Sequence, residues 1–121
     1  MRVLLGIGGS DDSLQALERT VERAVEAGDD LTIAIVRDED GRSTDELETE
    51  VDRTLSEREL DAEIRYVEEN PGSELVDIAE SEGFDRIVLG GGTTSPMGKI
   101  QIGSTAEFVL LNSHVSVLLV R

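Results

Sequence analysis

The chain contains no cysteine and no tryptophan, and only two phenylalanines, one tyrosine, one histidine and one lysine. Without cysteine, disulfides, thiolate catalysis and thiolate metal sites are excluded, and a reducing, cytoplasmic setting is expected. No apolar run exceeds strand length and no basic-then-apolar leader opens the chain, so neither a transmembrane helix nor a signal peptide is expected. The lone His114 falls at a helix end just before the last apolar run. With no histidine or carboxylate at metal-ligand spacing around it, a structural or solvent-facing role is expected and no metal. Positive charge is also scarce, with 11 Lys plus Arg against 27 Asp plus Glu and a formal net charge of -16. Such a surface repels phosphodiester backbones and anionic lipids, and no basic patch interrupts it, so neither nucleic acid nor a membrane is an expected partner.

What is present suffices for one domain over residues 1–121, since a chain of this length buries a core without staples. Arginine kept while lysine is nearly absent, on a strongly acidic surface, resembles the proteins of halophiles, in which salt screens the self-repulsion. Short continuous apolar runs at Val3 to Ile7, Leu31 to Val36, Ile87 to Leu89 and Val115 to Val120 suit strands covered on both faces. Ala62 to Val67 alternates instead, as an edge strand does. Between them, Leu14, Leu17, Val21, Ala24 and Val25 mark a helix from about Asp11 to Ala27, closed by Gly28. Leu47, Val51 and Leu55 mark a second, opened by a capping-box pair, Ser43 and Glu46. Leu75, Val76, Ile78 and Ala79 follow Asn70-Pro71-Gly72. Ala106, Val109 and Leu110 follow Ser104 and Glu107, read as a second capping box. The order βαβαβαβαβ predicts an α/β fold with an open five-stranded parallel sheet, helices on both faces and ligands at the carboxyl ends of the strands.

The run from Gly90 to Ser104, GGGTTSPMGKIQIGS, joins an apolar strand to a helix start. A glycine-rich link of this kind holds anions, because backbone N–H groups and the helix dipole point the same way. Glycine at 90, 91 and 92 permits positive φ and close approach to a ligand; the structural alternative is a loop whose glycines only turn the chain. A P-loop is excluded, since its first glycine falls on Thr93 and Ile100 replaces the magnesium-binding hydroxyl. A dinucleotide glycine pattern after Gly6 and Gly8 is broken by Asp11. Asp11 and Asp12 are read as helix-capping residues rather than cation ligands.

Val3-Leu4-Leu5-Gly6-Ile7-Gly8-Gly9-Ser10 followed by Ser13-Leu14-Gln15-Ala16-Leu17-Glu18, Pro71-Gly72-Ser73-Glu74-Leu75, Phe84-Asp85-Arg86-Ile87-Val88-Leu89-Gly90 and Gly103-Ser104-Thr105-Ala106 through Val120 resemble the universal stress protein family across essentially the whole chain. The resemblance implies a five-stranded parallel α/β sheet, and a homodimer formed by antiparallel pairing of the last strands, here Val117, Leu118, Leu119 and Val120. Nucleotide-binding members carry G-x2-G-x9-G-S/T. Here Gly90, Gly103 and Ser104 match, Thr93 stands at the second glycine, and Gly8 stands where an aspartate precedes the first-loop Gly-Ser. The resemblance thereby implies ATP or AMP held by Gly6, Ile7, Gly8, Val36, Gly90, Thr93, Gly103, Ser104 and Thr105, with magnesium only alongside ATP. The residues leave three readings open: a nucleotide-binding stress-response module, a dimeric interaction protein with a degenerate crevice, and a weak ATPase. No base, metal triad or arginine finger supports the last, so no enzyme activity is expected.

Overall fold

The computed structural model describes residues 1–8, 11–37, 43–90, 93–94, 100–101 and 103–120, with backbone alone at 11, 93, 94, 100 and 101. Strands β1 (Arg2–Ile7), β2 (Asp30–Val36), β3 (Glu63–Val67), β4 (Arg86–Gly90) and β7 (Ser116–Val120) form one all-parallel sheet in the order β3-β2-β1-β4-β7. The predicted five-stranded α/β architecture is therefore observed. Its helices are α1 (Asp11–Ala27), α2 (Thr44–Arg58), α3 (Pro71–Ser81) and α4 (Ser104–Asn112).

Alternation along β1 divides the core. Val3, Leu5 and Ile7 pack with Leu17, Val21, Leu47 and Val51 from α1 and α2, whereas Leu4 packs with Leu75, Ala79, Ala106 and Val109 from α3 and α4. Successive strands step outward from β1 to β2 and β3, and the chain then returns to β4 on the other side of β1. Strand order consequently reverses between β1 and β4, with α1 and α2 on one face and α3 and α4 on the other. Gly6 lies within this core. A Cβ there would stand 2.7 Å from Leu89 Cδ2 and 3.0 Å from Leu75 Cδ1, so its lack of a side chain lets α3 settle on the sheet.

The helix ends follow the capping signals with two exceptions. Gly28, at φ 73, closes α1 and its N–H reaches the Ala24 carbonyl at 2.9 Å. Ser43 caps α2 by accepting the Glu46 N–H at 3.2 Å. At α4 the expected cap is displaced: Gly103 occupies the N-cap, Ser104 is the first helical residue, and no side chain caps the helix. Asp11 and Asp12 likewise lie inside the first turn of α1, where carboxylates favour the dipole, rather than at its cap. Val25, assigned to the apolar face of α1, is exposed.

Two elements were absent from the sequence pattern. Thr93–Thr94 and Ile100–Gln101 form strands β5 and β6 of a short antiparallel hairpin between β4 and α4. At the amino end of the sheet, Arg2 stacks 4.5 Å over the Phe84 ring and donates to the Glu82 carbonyl, while Arg65 pairs with both carboxylate oxygens of Glu82. No helix among the described residues is long and apolar enough to cross a membrane.

Candidate functional site

The crevice lies where β1 and β4 run side by side, with Gly6 opposite Leu89, and the chain leaves them toward opposite faces. From β1 it passes through Gly8 into α1; from β4 it passes through Gly90 and the β5–β6 hairpin into α4. Two helix amino termini thus follow the two central strands, each with first-turn N–H groups that lack an intrahelical acceptor.

These termini are finished differently. On the α1 side, the Gly8 N–H donates to Ser13 Oγ at 3.0 Å, folding the loop back on its own helix. Gly90 packs beneath this turn: a Cβ there would stand 2.8 Å from the Ser13 nitrogen and 2.9 Å from the Asp12 carbonyl carbon. Gly90 is therefore required by close approach of α1. It does not supply the positive φ expected of it, which among the described glycines belongs to Gly28 and Gly83. On the α4 side, Gly103 has φ -65 and ψ 158, extended backbone that any residue adopts, and an added Cβ would meet nothing within 4 Å. The Glu107 N–H makes the first helical bond, to the Gly103 carbonyl at 2.9 Å. The N–H groups of Ser104, Thr105 and Ala106 have no acceptor among the described residues.

The other site residues occupy distinct places. Ile7 and Val36 end adjacent strands, but both side chains are buried, leaving backbone at the crevice. Gly8 has open space where a Cβ would stand. Ser104 is exposed and Thr105 half-buried at the start of α4. Thr93 pairs through its backbone with Gln101 in the hairpin. Gly9, Ser10, Gly91, Gly92, Ser95 and Lys99 lie outside the described residues. Sequence reasoning missed the role of Ser13 and Asp12 as the surface against which Gly90 packs; the only signal was a hydroxyl five residues after Gly8.

The one histidine lies away from the crevice. His114 is exposed at the other side of α4, its Nδ1 3.1 Å from Glu80 Oε1, and this contact lowers the Glu80 pKa. Among the described residues no group of three or more histidine or carboxylate side chains is arranged to hold a metal ion. Among the described residues, the crevice offers open space above Gly8 and Gly103 and first-turn backbone donors of α4 without a partner, which fit a phosphate group.

An all-parallel sheet of this order with helices on both faces is the doubly wound, Rossmann-like α/β class of fold. The chain belongs to the universal stress protein family, whose model matches residues 1–121. No curated protein matches it. Among solved structures it is similar to a universal stress protein in complex with cAMP, at 28% identity and TM-score 0.77, covering 100% of this chain and 96% of that one. It is also similar to a universal stress protein from Archaeoglobus fulgidus, at 26% identity and TM-score 0.67, covering 100% and 98% of the two chains. A universal stress protein from the same organism in complex with dAMP aligns at 24% identity and TM-score 0.62, over 100% and 98%.

Proposed function

We propose that this chain is a non-enzymatic nucleotide-binding module that takes an adenosine monophosphate with its phosphate on the amino terminus of α4 and its adenosine along the carboxyl ends of β1 and β2. The observation that carries this reading is the glycine cap at Gly103, which leaves the first-turn donors of α4 open beside the switch point. The cAMP and dAMP complexes of similar proteins support the ligand class. A monophosphate suits a molecule of net charge -16 better than a triphosphate, whose extra charge meets Asp12 behind Gly90 and an acidic surface. Magnesium belongs only to the ATP case.

A two-fold dimer through β7 completes the proposal. β7 is an edge of the sheet, Leu118 is 43% exposed on it, and α4 beside it exposes Leu110 and Leu111. An apolar unpaired edge of this kind is stabilised by pairing with a second copy. Sedimentation at micromolar concentration in high salt is expected to give a dimer; a monomer contradicts the assembly.

The second reading, a dimer acting through protein partners without nucleotide, draws on the presence of Thr93 and Gly8 in place of the family's glycine and aspartate. Calorimetric titration with AMP, cAMP and magnesium-ATP, beside mass spectrometry of natively purified protein, separates the two. Saturable binding of AMP, tighter than of magnesium-ATP, is expected. Absence of binding by all three supports the second reading.

A further inference from the structure

Ser13 is the third residue of α1, yet its hydroxyl serves the loop before the helix. Its Oγ accepts the Gly8 N–H, five residues back, at 3.0 Å, and the residue is only 6% exposed. In a capping box the third helical side chain reaches back to the N-cap N–H; here it reaches further, to the first residue beyond β1. The position of this hydroxyl is set from the other side by β4. A Cβ on Gly90 would stand 2.8 Å from the Ser13 nitrogen, so the first turn of α1 rests directly on the end of that strand. Ser13 therefore ties the ends of the two central strands together. Gly8 is held through its N–H, while the space where its Cβ would stand is open.

This bond decides which backbone donors face a ligand. An amide N–H has one hydrogen, and that of Gly8 is directed at Ser13. A phosphate that took it would gain a charge-assisted bond but strip the donor from a buried hydroxyl, and the two changes are of similar size. The first-turn N–H groups of α4 carry no such cost, since no described side chain caps them. Sheet order fixes the spacing. β1 lies between β2 and β4, so a ligand whose adenosine follows the ends of β1 and β2 crosses Gly8 before its phosphate reaches α4. Gly8 thus marks a second phosphate position, one strand spacing (~4.8 Å) nearer the base, that the bond to Ser13 keeps shut.

We infer that Ser13 is a positioning residue that sets the number of phosphates the crevice takes: by holding the Gly8 N–H it leaves one phosphate position, on α4, and selects a nucleoside monophosphate over a diphosphate. The inference rests on the nucleotide reading above.

Ser13→Ala removes the hydroxyl and places a good helix former in α1. Circular dichroism verifies its fold. In the free protein, NMR hydrogen exchange at the Gly8 amide is expected to quicken about fivefold in this variant, for loss of one neutral hydrogen bond. In calorimetric titrations without magnesium, the parent is expected to bind AMP more tightly than ADP. The ADP-to-AMP affinity ratio is expected to rise about tenfold in Ser13→Ala, for one charge-assisted hydrogen bond gained by the second phosphate. A general loosening of the crevice would weaken both ligands together and leave the ratio in place. An unchanged ratio in a folded Ser13→Ala protein that binds AMP overturns the role of Ser13. So does a parent that binds ADP as tightly as AMP, or Gly8 exchange as fast in the parent as in the variant. A parent that binds neither nucleotide while its Gly8 amide is protected rejects the nucleotide reading, and the selection by Ser13 with it.

Discussion

The amino termini of α1 and α4 follow the two central strands of one sheet, yet they meet different surroundings. At α1 the Gly8 N–H donates to Ser13 Oγ, and Gly90 fits beneath Asp12 and Ser13. At α4 the cap is a glycine, with no side chain on the first-turn donors and empty space where a side chain would stand. The first turn of α1 is the surface on which Gly90 packs, whereas the first turn of α4 has no side-chain cap. A glycine at either place reads alike in sequence. Gly90 is required by packing, whereas nothing among the described residues requires a glycine at 103.

That contrast predicts a graded series. Gly90→Ala is expected to cost the most, about 1–3 kcal/mol or more, because its Cβ would press on helix backbone that cannot step aside. Gly6→Ala is expected to cost less, since the atoms it meets are the ends of the Leu89 and Leu75 side chains. Gly103→Ala is expected to fall within about 1 kcal/mol of the parent, the difference between glycine and alanine at an N-cap. Denaturant midpoints rank the three; equal losses at Gly90 and Gly103 would erase the distinction between the termini.

Charge gives the next effect. With 27 acidic residues on a small domain, many acidic pairs lie within a Debye length of about 10 Å at 0.1 M salt, and their repulsion opposes folding. The thermal midpoint is expected to rise steadily from dilute buffer to molar potassium chloride and to stay flatter in an equally concentrated neutral osmolyte. A midpoint that falls with salt contradicts a strained acidic surface and the halophilic character it suggests.

The smallest effect separates two carboxylates from that general repulsion. Arg65 lowers the Glu82 pKa through their side-chain hydrogen bonds, and His114 lowers that of Glu80. A folded-state pKa below the unfolded one contributes stability that is fully present above the unfolded value and is lost as pH falls through the folded one. Mild acidification therefore first relieves repulsion among other carboxylates, and these two pairs are lost last. In an NMR titration, Arg65→Gln is expected to return Glu82 toward the ordinary glutamate range and leave Glu80 in place. An unmoved Glu82 would show that the ion pair is not its cause.

Most of the fold was legible because its signals are local and periodic. Val3 to Ile7 and Leu31 to Val36 read as buried strands, the alternation at Ala62 to Val67 gave an edge, and Gly28 and Ser43 marked helix ends where the backbone uses them. The fourth helix was misread by one residue. Ser104 and Glu107 have capping-box spacing, but the helix begins one residue earlier in register and takes the glycine as its cap. The β5–β6 hairpin gave no signal because two-residue strands are too short to show a period. The site was legible only as a region: whether a glycine serves φ, close approach or open space depends on what lies opposite, and for Gly90 that is Asp12 and Ser13, far away in sequence.

The most direct test places a carboxylate on the open terminus. Gly103→Asp supplies the side-chain cap that α4 lacks, at extended backbone and in open space, so the fold is expected to keep or raise its thermal midpoint. The same carboxylate takes the first-turn donors and repels phosphate, so AMP affinity, read by calorimetry, is expected to fall at least about tenfold, as for loss of a charge-assisted hydrogen bond. A folded, equally stable Gly103→Asp protein that binds AMP as the parent does would contradict the assignment of the phosphate to α4.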